Sequence, residues 1–245
     1  MRALPYLLAL LWLTAIASLF TVVSPKELIG AMTSEEVRFA LWLSIVTSFL
    51  STVIVMGLAL PTAFSLSRNE SFVEPLLILP NAMPPVAVGA TLLLFFSRTP
   101  IGSAINSLIH AVFDVPGIIV AQTVVSFPLA LKPLKNAFKS IDEDIVLMLK
   151  SHGCVGLCML RTLFKGIKGT FKSSALLVFS RSMAEFGASV TLAGAIRFKT
   201  ETLPIAIYLN LASGDIAKVI SLIIISISVA LLIISLGSGW ESVEG

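Results

Sequence analysis

The sequence predicts an all-α, polytopic membrane protein with six transmembrane helices and a cytoplasmic helix-turn-helix between the fourth and fifth. Three observations predict this class. Hydrophobic residues make up 56% of the 245 positions and charged residues only 13%. Mean hydropathy is +0.98, far above that of a soluble domain of this length. The charges that remain gather between long uncharged intervals, and an interval of about 20 apolar residues is what a helix needs to cross roughly 30 Å of hydrocarbon.

Taken in order, the predicted spans are Pro5 to Val23, Phe39 to Phe64, Pro75 to Phe96, Ile118 to Leu131 (to Leu134 if Lys132 snorkels), Ser173 to Ala195 and Ile216 to Leu236. The whole chain, 1–245, is read as a single transmembrane domain. The first span has a signal-peptide alternative, since Arg2 precedes it and "AIA" at Ala15 to Ala17 resembles a cleavage site. An apolar run that continues through Leu19, Phe20 and Val23 favours a retained helix.

The third span, "PLLILPNAMPPVAVGATLLLFF", holds Pro80, Pro84 and Pro85 in one half. Proline removes a backbone donor, and the carbonyl it frees must be satisfied by a neighbouring helix or a wet cavity. Asn81 beside the prolines favours a lined path over a kinked packing helix, so Asn81, Pro84 and Pro85 are candidate pathway residues.

The fifth span contains "RSMAEFGASVTLAGA". Arg181 and Glu185 are four residues apart and therefore share a helix face, and an unpaired charge near the bilayer centre costs roughly 3 kcal/mol or more. They are expected to satisfy each other or to face water. A structural clamp and a place in the path are equally compatible with that pairing. Gly187 permits close approach of another backbone, and Ser189 adds a hydroxyl.

With the N-terminus inside, the inner segments carry Arg2, Arg68, Lys132, Lys135, Lys139, Lys150, Arg161, Lys165, Lys168 and Lys172. The outer segments carry Lys26, Arg38, Arg98, Arg197, Lys199 and Lys218. That excess, most of it within the loop from Lys132 to Lys172, places both termini in the cytoplasm. A net charge of +3 gives no sign of a nucleic-acid partner.

The same loop (135–172 between the spans) is the long polar segment of the chain. Ile141, Ile145, Met148 and Leu149 fall at the spacing of one helix face, with Ser140 as N-cap and acids in the first turn. Gly153 and Gly156 then interrupt, and Leu157, Leu160 and Phe164 form a second stripe. Two amphipathic helices of this kind can rest on lipid headgroups or form a knob for a cytoplasmic partner. Cys154 and Cys158 are taken as packing residues and His152 as a turn or interface residue, so no metal site is expected.

The chain has no phosphate-binding G-x-x-x-x-G-K-[ST] loop, no H-E-x-x-H zinc helix and no G-x-S-x-G elbow. No catalytic residue or cofactor is expected, and any ATP is hydrolysed on another chain.

Three segments carry a family likeness. "LPNAMPPVAVGATLLLFFSRTPIG" resembles an LP-x-x-x-PP-x-x-x-G segment, "RSMAEFGASVTLAGA" an R-x-x-x-EFGA segment, and "TETLPIAIY" a T-x-TLP-x-x-IY segment, all of the permease subunits of molybdate/tungstate ABC importers. That resemblance implies a homodimeric pore in a prokaryotic plasma membrane, two copies of an ABC ATPase beneath it and an external binding protein that delivers an oxyanion. It also implies that the segment holding Arg181, Glu185, Gly187 and Ala188 lines the pore region. The family's coupling motif, E-A-A-x-x-x-G-x9-I-x-L-P, survives only in part. Leu147, Met148 and Leu149 stand at the E-A-A positions, Gly153 at the glycine, Leu163 at the isoleucine, and Lys165 with Gly166 at the L-P.

Competing readings are sulfate, iron or thiamine as cargo, a secondary carrier using the Arg181/Glu185 pair as a relay, and a membrane-embedded enzyme. No convincing inverted repeat favours the carrier, and a single charged cluster in the spans disfavours the enzyme.

Overall fold

The computed structural model describes residues 3–68 and 72–241. Arg2, counted above among the inner cations, lies outside the described residues. Among these residues the secondary structure is entirely helical. The helices are α1 (Ala3–Val22), α2 (Pro25–Met32), α3 (Glu35–Arg68), α4 (Glu74–Ala82), α5 (Pro85–Arg98), α6 (Pro100–Ile109), α7 (Val115–Lys139), α8 (Glu143–Ser151), α9 (Leu157–Leu163), α10 (Lys168–Met183), α11 (Gly187–Ala193), α12 (Leu203–Ser213) and α13 (Ile216–Glu241), with a short 3-10 turn at Phe164–Ile167.

Four of them, α1, α3, α7 and α13, are long and apolar enough to cross a membrane, and α4 with α5 makes a fifth if the bent pair is one span. The protein is thus an all-α polytopic membrane protein. Two expectations need correction. The third predicted span is not one kinked helix: α4 and α5 meet at a 119° bend, because Pro84 and Pro85 leave no backbone donors for the turn that would join them. The fifth predicted span, Ser173 to Ala195, divides at Ala184–Phe186 into α10 and α11, and neither piece has the length of a span. The fourth predicted span, Ile118 to Leu131, by contrast, is the middle of a 25-residue helix, α7, that accommodates Pro128 and Pro133.

At the centre, α3 and α7 pack along their lengths and α10 lies against both. A lipid surround supplies little hydrophobic force between helices, so small residues and buried hydrogen bonds must hold them. The sequence provides both. Ser44, Thr47, Ser48 and Ser51 recur at i, i+3, i+4 and i+7, which puts them on one buried face of α3. Against that face Gln122 of α7 donates through Nε2 to the Ser182 carbonyl (3.0 Å) and lies 3.4 Å from the Thr47 and Ser48 hydroxyls. The Ser126 and Ser182 hydroxyls are 3.1 Å apart. A transverse polar clasp therefore joins α3, α7 and the end of α10.

Toward one end of the bundle, Leu66, Leu134 and Phe138 form an apolar cluster with residues from the α8–α9 loop, namely Val146, Met159, Leu163 and Ile167. Arg68 donates to the Phe138 carbonyl (3.1 Å), and Lys135 pairs with Glu74, tying α4 to α7. No part of α1's apolar window is buried, whereas half of α7's is.

Candidate functional site

The two broken helices face each other at their breaks. An added Cβ on Gly187 would lie 3.0 Å from Pro85 Cβ and 3.1 Å from Val86 N, and one on Gly89 would lie 2.7 Å from the Ala188 carbonyl oxygen. The first turns of α5 and α11 thus approach as closely as hydrogen in place of a side chain permits. Proline starts α5 and glycine starts α11, so each residue type is placed by the geometry of its own break.

Glu185 sits in the break of the fifth predicted span and is buried to 1% exposure. One carboxylate oxygen, Oε1, accepts from the Ala188 N–H (2.8 Å), a donor that the start of α11 would otherwise leave unpaired. The other, Oε2, lies 2.7 Å from Arg181 Nη1. Glu185 therefore has two structural duties, capping α11 and neutralising Arg181. Arg181 retains 31% side-chain exposure, so the pair has a dry end and a wet end.

The remaining pathway candidates divide between surface and interior. Asn81 and Pro84 are exposed and Pro85 is half-buried, while Gly187 and Ser189 are buried. Ser189 Oγ has no hydrogen-bond partner among the described residues. Pro85 and Gly187 are brought together, and Arg181 and Glu185 are paired; Asn81 lies on the far side of the α4–α5 bend.

In the α8–α9 loop the buried face is not the one that simple periodicity suggested. Val146 is buried and Ile141 and Leu149 pack behind it, but Ile145, Leu147 and Met148 point outward. Of the second stripe, Leu160 and Phe164 pack against the core beside the buried Met159 and Leu163, and only Leu157 turns outward, at 80% exposure. The helix start is also displaced: Asp142 is the N-cap, accepting from Asp144 N (3.0 Å), and Ser140 closes α7. Gly153 adopts φ +74°, which turns the chain after α8, and His152 is the C-cap residue of that helix. Cys154 and Cys158 are not independent packing residues, because they form a disulfide across this turn.

A second charged cluster escaped the sequence reading. Glu36, at the start of α3 and 5% exposed, accepts from Asn210 Nδ2 (2.7 Å) and Lys218 Nζ (2.8 Å), and Arg197 Nη1 lies 3.3 Å away. It joins α3, α12, α13 and the 194–202 loop. In that loop Glu201 is fully buried and accepts from Phe198 N (2.9 Å). Burial pushes the Glu201 carboxyl above its ordinary range, and Glu36 nearby pushes it further against the pull of the Phe198 N–H. At the same loop Lys199 lies 3.1 Å from Asp114, whose carboxyl is held low, chiefly by the Val115 N–H and then by Lys199. Glu36 reads in sequence as a flanking acid because nothing local announces partners more than 150 residues away.

These features define an all-α polytopic membrane protein in which two helix breaks pack against each other, with a buried ion pair beside one of them and a compact helical loop at one end. The chain superposes on a chain in the solved structure of a bacterial alginate ABC transporter in complex with an alginate pentasaccharide-bound periplasmic protein, at a TM-score of 0.75 over 96% of this chain and 91% of that one, with 15% identity. No family model matches the chain. Among curated proteins it is 32% identical to the molybdenum transport system permease protein of Mycobacterium tuberculosis, across 84% of this chain and 81% of that protein. It is 32% identical to a probable molybdenum ABC transporter permease of Haloferax volcanii (98% and 92%) and 27% identical to a molybdate/tungstate permease of Methanocaldococcus jannaschii (87% and 86%). The chain belongs to the molybdate/tungstate ABC transporter permease family.

Proposed function

We propose that this chain is the membrane-spanning permease of an ATP-driven importer that carries molybdate or tungstate from an external binding protein to the cytoplasm. It forms a homodimeric pore with a second copy of itself and is served by two copies of a separate ABC ATPase, since its own sequence carries no nucleotide-binding motif. The observation that carries the reading is the meeting of two broken helices at Pro85 and Gly187, within two of the three segments that carry the family likeness.

In this reading each chain contributes six spans, with α4–α5 and α10–α11 as the two interrupted ones, and both termini face the cytoplasm. Asn81, Pro84 and the exposed side of Arg181 border the path. Glu185, Gly187 and Ser189 hold the frame from within. Arg181 is a partner for Glu185 rather than a tight oxyanion ligand, because a strong site in the path would slow release. The 140–167 loop offers Leu147, Met148 and the turn at Gly153 to the ATPase, whereas Leu149 and Leu163 anchor the loop to the inner ends of α3 and α7. Nucleotide-driven closure of the ATPases then displaces this loop and biases a two-state pore.

The test is accumulation of molybdate, tungstate and sulfate, measured as cell-associated metal or sulfur in cells lacking their own importers and supplied with this chain, its ATPase and its binding protein. Energy-dependent uptake of molybdate or tungstate in preference to sulfate is expected. Preferential sulfate uptake would change the cargo, and uptake without the ATPase would make the chain a secondary carrier.

A further inference from the structure

We infer that Cys154 and Cys158 form a reversible thiol–disulfide modification site that sets the stiffness of the α8–α9 turn. This rests on the reading of that loop as the cytoplasmic, ATPase-facing element. The two cysteines are four positions apart with Cα atoms 5.3 Å from each other, and they are disulfide-bonded with no other cysteine in the chain. Eight lysines and arginines between Lys132 and Lys172 hold the segment on the inner side. A disulfide on that side stands in a reducing compartment, where such bonds are ordinarily transient and serve redox chemistry or sensing rather than permanent bracing.

The location gives the bond something to control. Between the cysteines the chain passes through Val155, Gly156 and Leu157, and Gly156 and the preceding Gly153 both have positive φ with open space where a side chain would be. Apart from the disulfide, the turn is held by Cys154 N donating to the Leu149 carbonyl and Gly153 N donating to the Lys150 carbonyl, both at 2.9 Å. Those two bonds tie Gly153 and Cys154 to α8 whether or not the disulfide is present, so Gly156, the glycine that the disulfide spans, becomes the hinge once the bond opens. On either side of it lie exposed apolar residues, Leu147, Met148 and Val155 before and Leu157 after. Oxidation therefore fixes these four residues as one preformed patch, and reduction lets the two halves separate. A preformed patch loses less conformational freedom on docking and engages its partner more tightly.

The chemistry balances with a small-molecule disulfide of the glutathione type as oxidant. The thiolate of Cys158, the more exposed of the two, attacks one sulfur of that disulfide and expels a small thiolate. Cys154 Sγ then attacks Cys158 Sγ of the mixed disulfide and expels the second. The protein loses two electrons and two thiol protons, and the small disulfide becomes two thiols. A dithiol reductant reverses the sequence.

The test uses the complex purified in nanodiscs, equilibrated across ratios of reduced to oxidised glutathione and quenched with N-ethylmaleimide. The tryptic peptide from Ser151 to Arg161 contains both cysteines. It is expected to carry two maleimide groups at the reducing end, to be lighter than the dithiol by two hydrogens at the oxidising end, and to interconvert when the buffer is exchanged. The ATPase rate of the same samples is expected to rise several-fold on oxidation in wild type and to stay flat in the C154S/C158S double variant. A peptide bonded at every ratio, free at every ratio, or switching with no change in ATPase rate would overturn the inference. Absence of the ATPase from the preparation would instead count against the importer reading, and the peptide masses would still decide whether the site is reversible.

Discussion

Glu185 shows how one side chain can satisfy two demands of a broken membrane helix. Its Oε1 caps Ala188 and its Oε2 neutralises Arg181, so the two oxygens can be tested apart. Glu185→Gln keeps an acceptor for the Ala188 N–H and leaves Arg181 unpaired; Glu185→Ala removes both. We expect Glu185→Ala to destabilise by on the order of 1–3 kcal/mol, the low side for a broken buried pair because Arg181 keeps part of its hydration, and Glu185→Gln by less. Thermal unfolding in detergent gives that ranking, and equal losses would remove the capping role. Glu201 makes a pH prediction. Its carboxyl is raised above the ordinary 4.5 by burial, so its protonated form is favoured in the folded chain. The sign follows: the contribution is fully present below the unfolded value and is lost as pH rises through the folded one. Wild type is expected to lose stability over that interval, and Glu201→Gln, neutral throughout, to lose less. The sequence made Arg181 and Glu185 legible because their spacing on one helix is local. It hid Glu36 because its partners come from three other segments.

At the scale of elements, α5 and α11 carry the clearest steric prediction. Gly89→Ala drives a methyl to 2.7 Å from the Ala188 carbonyl oxygen, and Gly187→Ala drives one to 3.0 Å from Pro85 Cβ. Each should cost about 1–3 kcal/mol, with Gly89→Ala the worse because backbone is what it meets. Gly57→Ala, with nothing within 4 Å, is the control and should be neutral or slightly stabilising. Chain breaks were only half legible. Three prolines announced the interruption of the third span, but the break at Ala184–Phe186 contains no proline, and its cause is the capping interaction of Glu185 with the next helix. The loop repeats the lesson. Helix, glycine turn and helix were readable from spacing, whereas the buried face was set by which residues could reach Phe138 and Leu66. Leu147→Asp changes a residue that is 59% exposed, so it should leave the unfolding free energy within about 0.5 kcal/mol of wild type while reducing recovery of the ATPase.

Across the whole molecule, composition alone established the class, because so few charges cannot be arranged on a soluble surface of this size. The span count was less legible. Length and hydropathy identify continuous helices, and a permease built partly from interrupted ones offers pieces too short for that test. The polar stripe of Ser44, Thr47, Ser48 and Ser51 was present in the sequence as a helical period, and it marks the face of α3 turned toward Gln122. The central claim is that this bundle is one subunit of an ATP-driven machine. Its most direct test is recovery of the chain from native membranes in mild detergent, with mass identification and ATPase assay of what co-purifies. The account predicts an ABC ATPase at one copy per permease and substrate-stimulated hydrolysis. A chain that purifies alone, with no ATPase and no nucleotide-dependent transport, would contradict it.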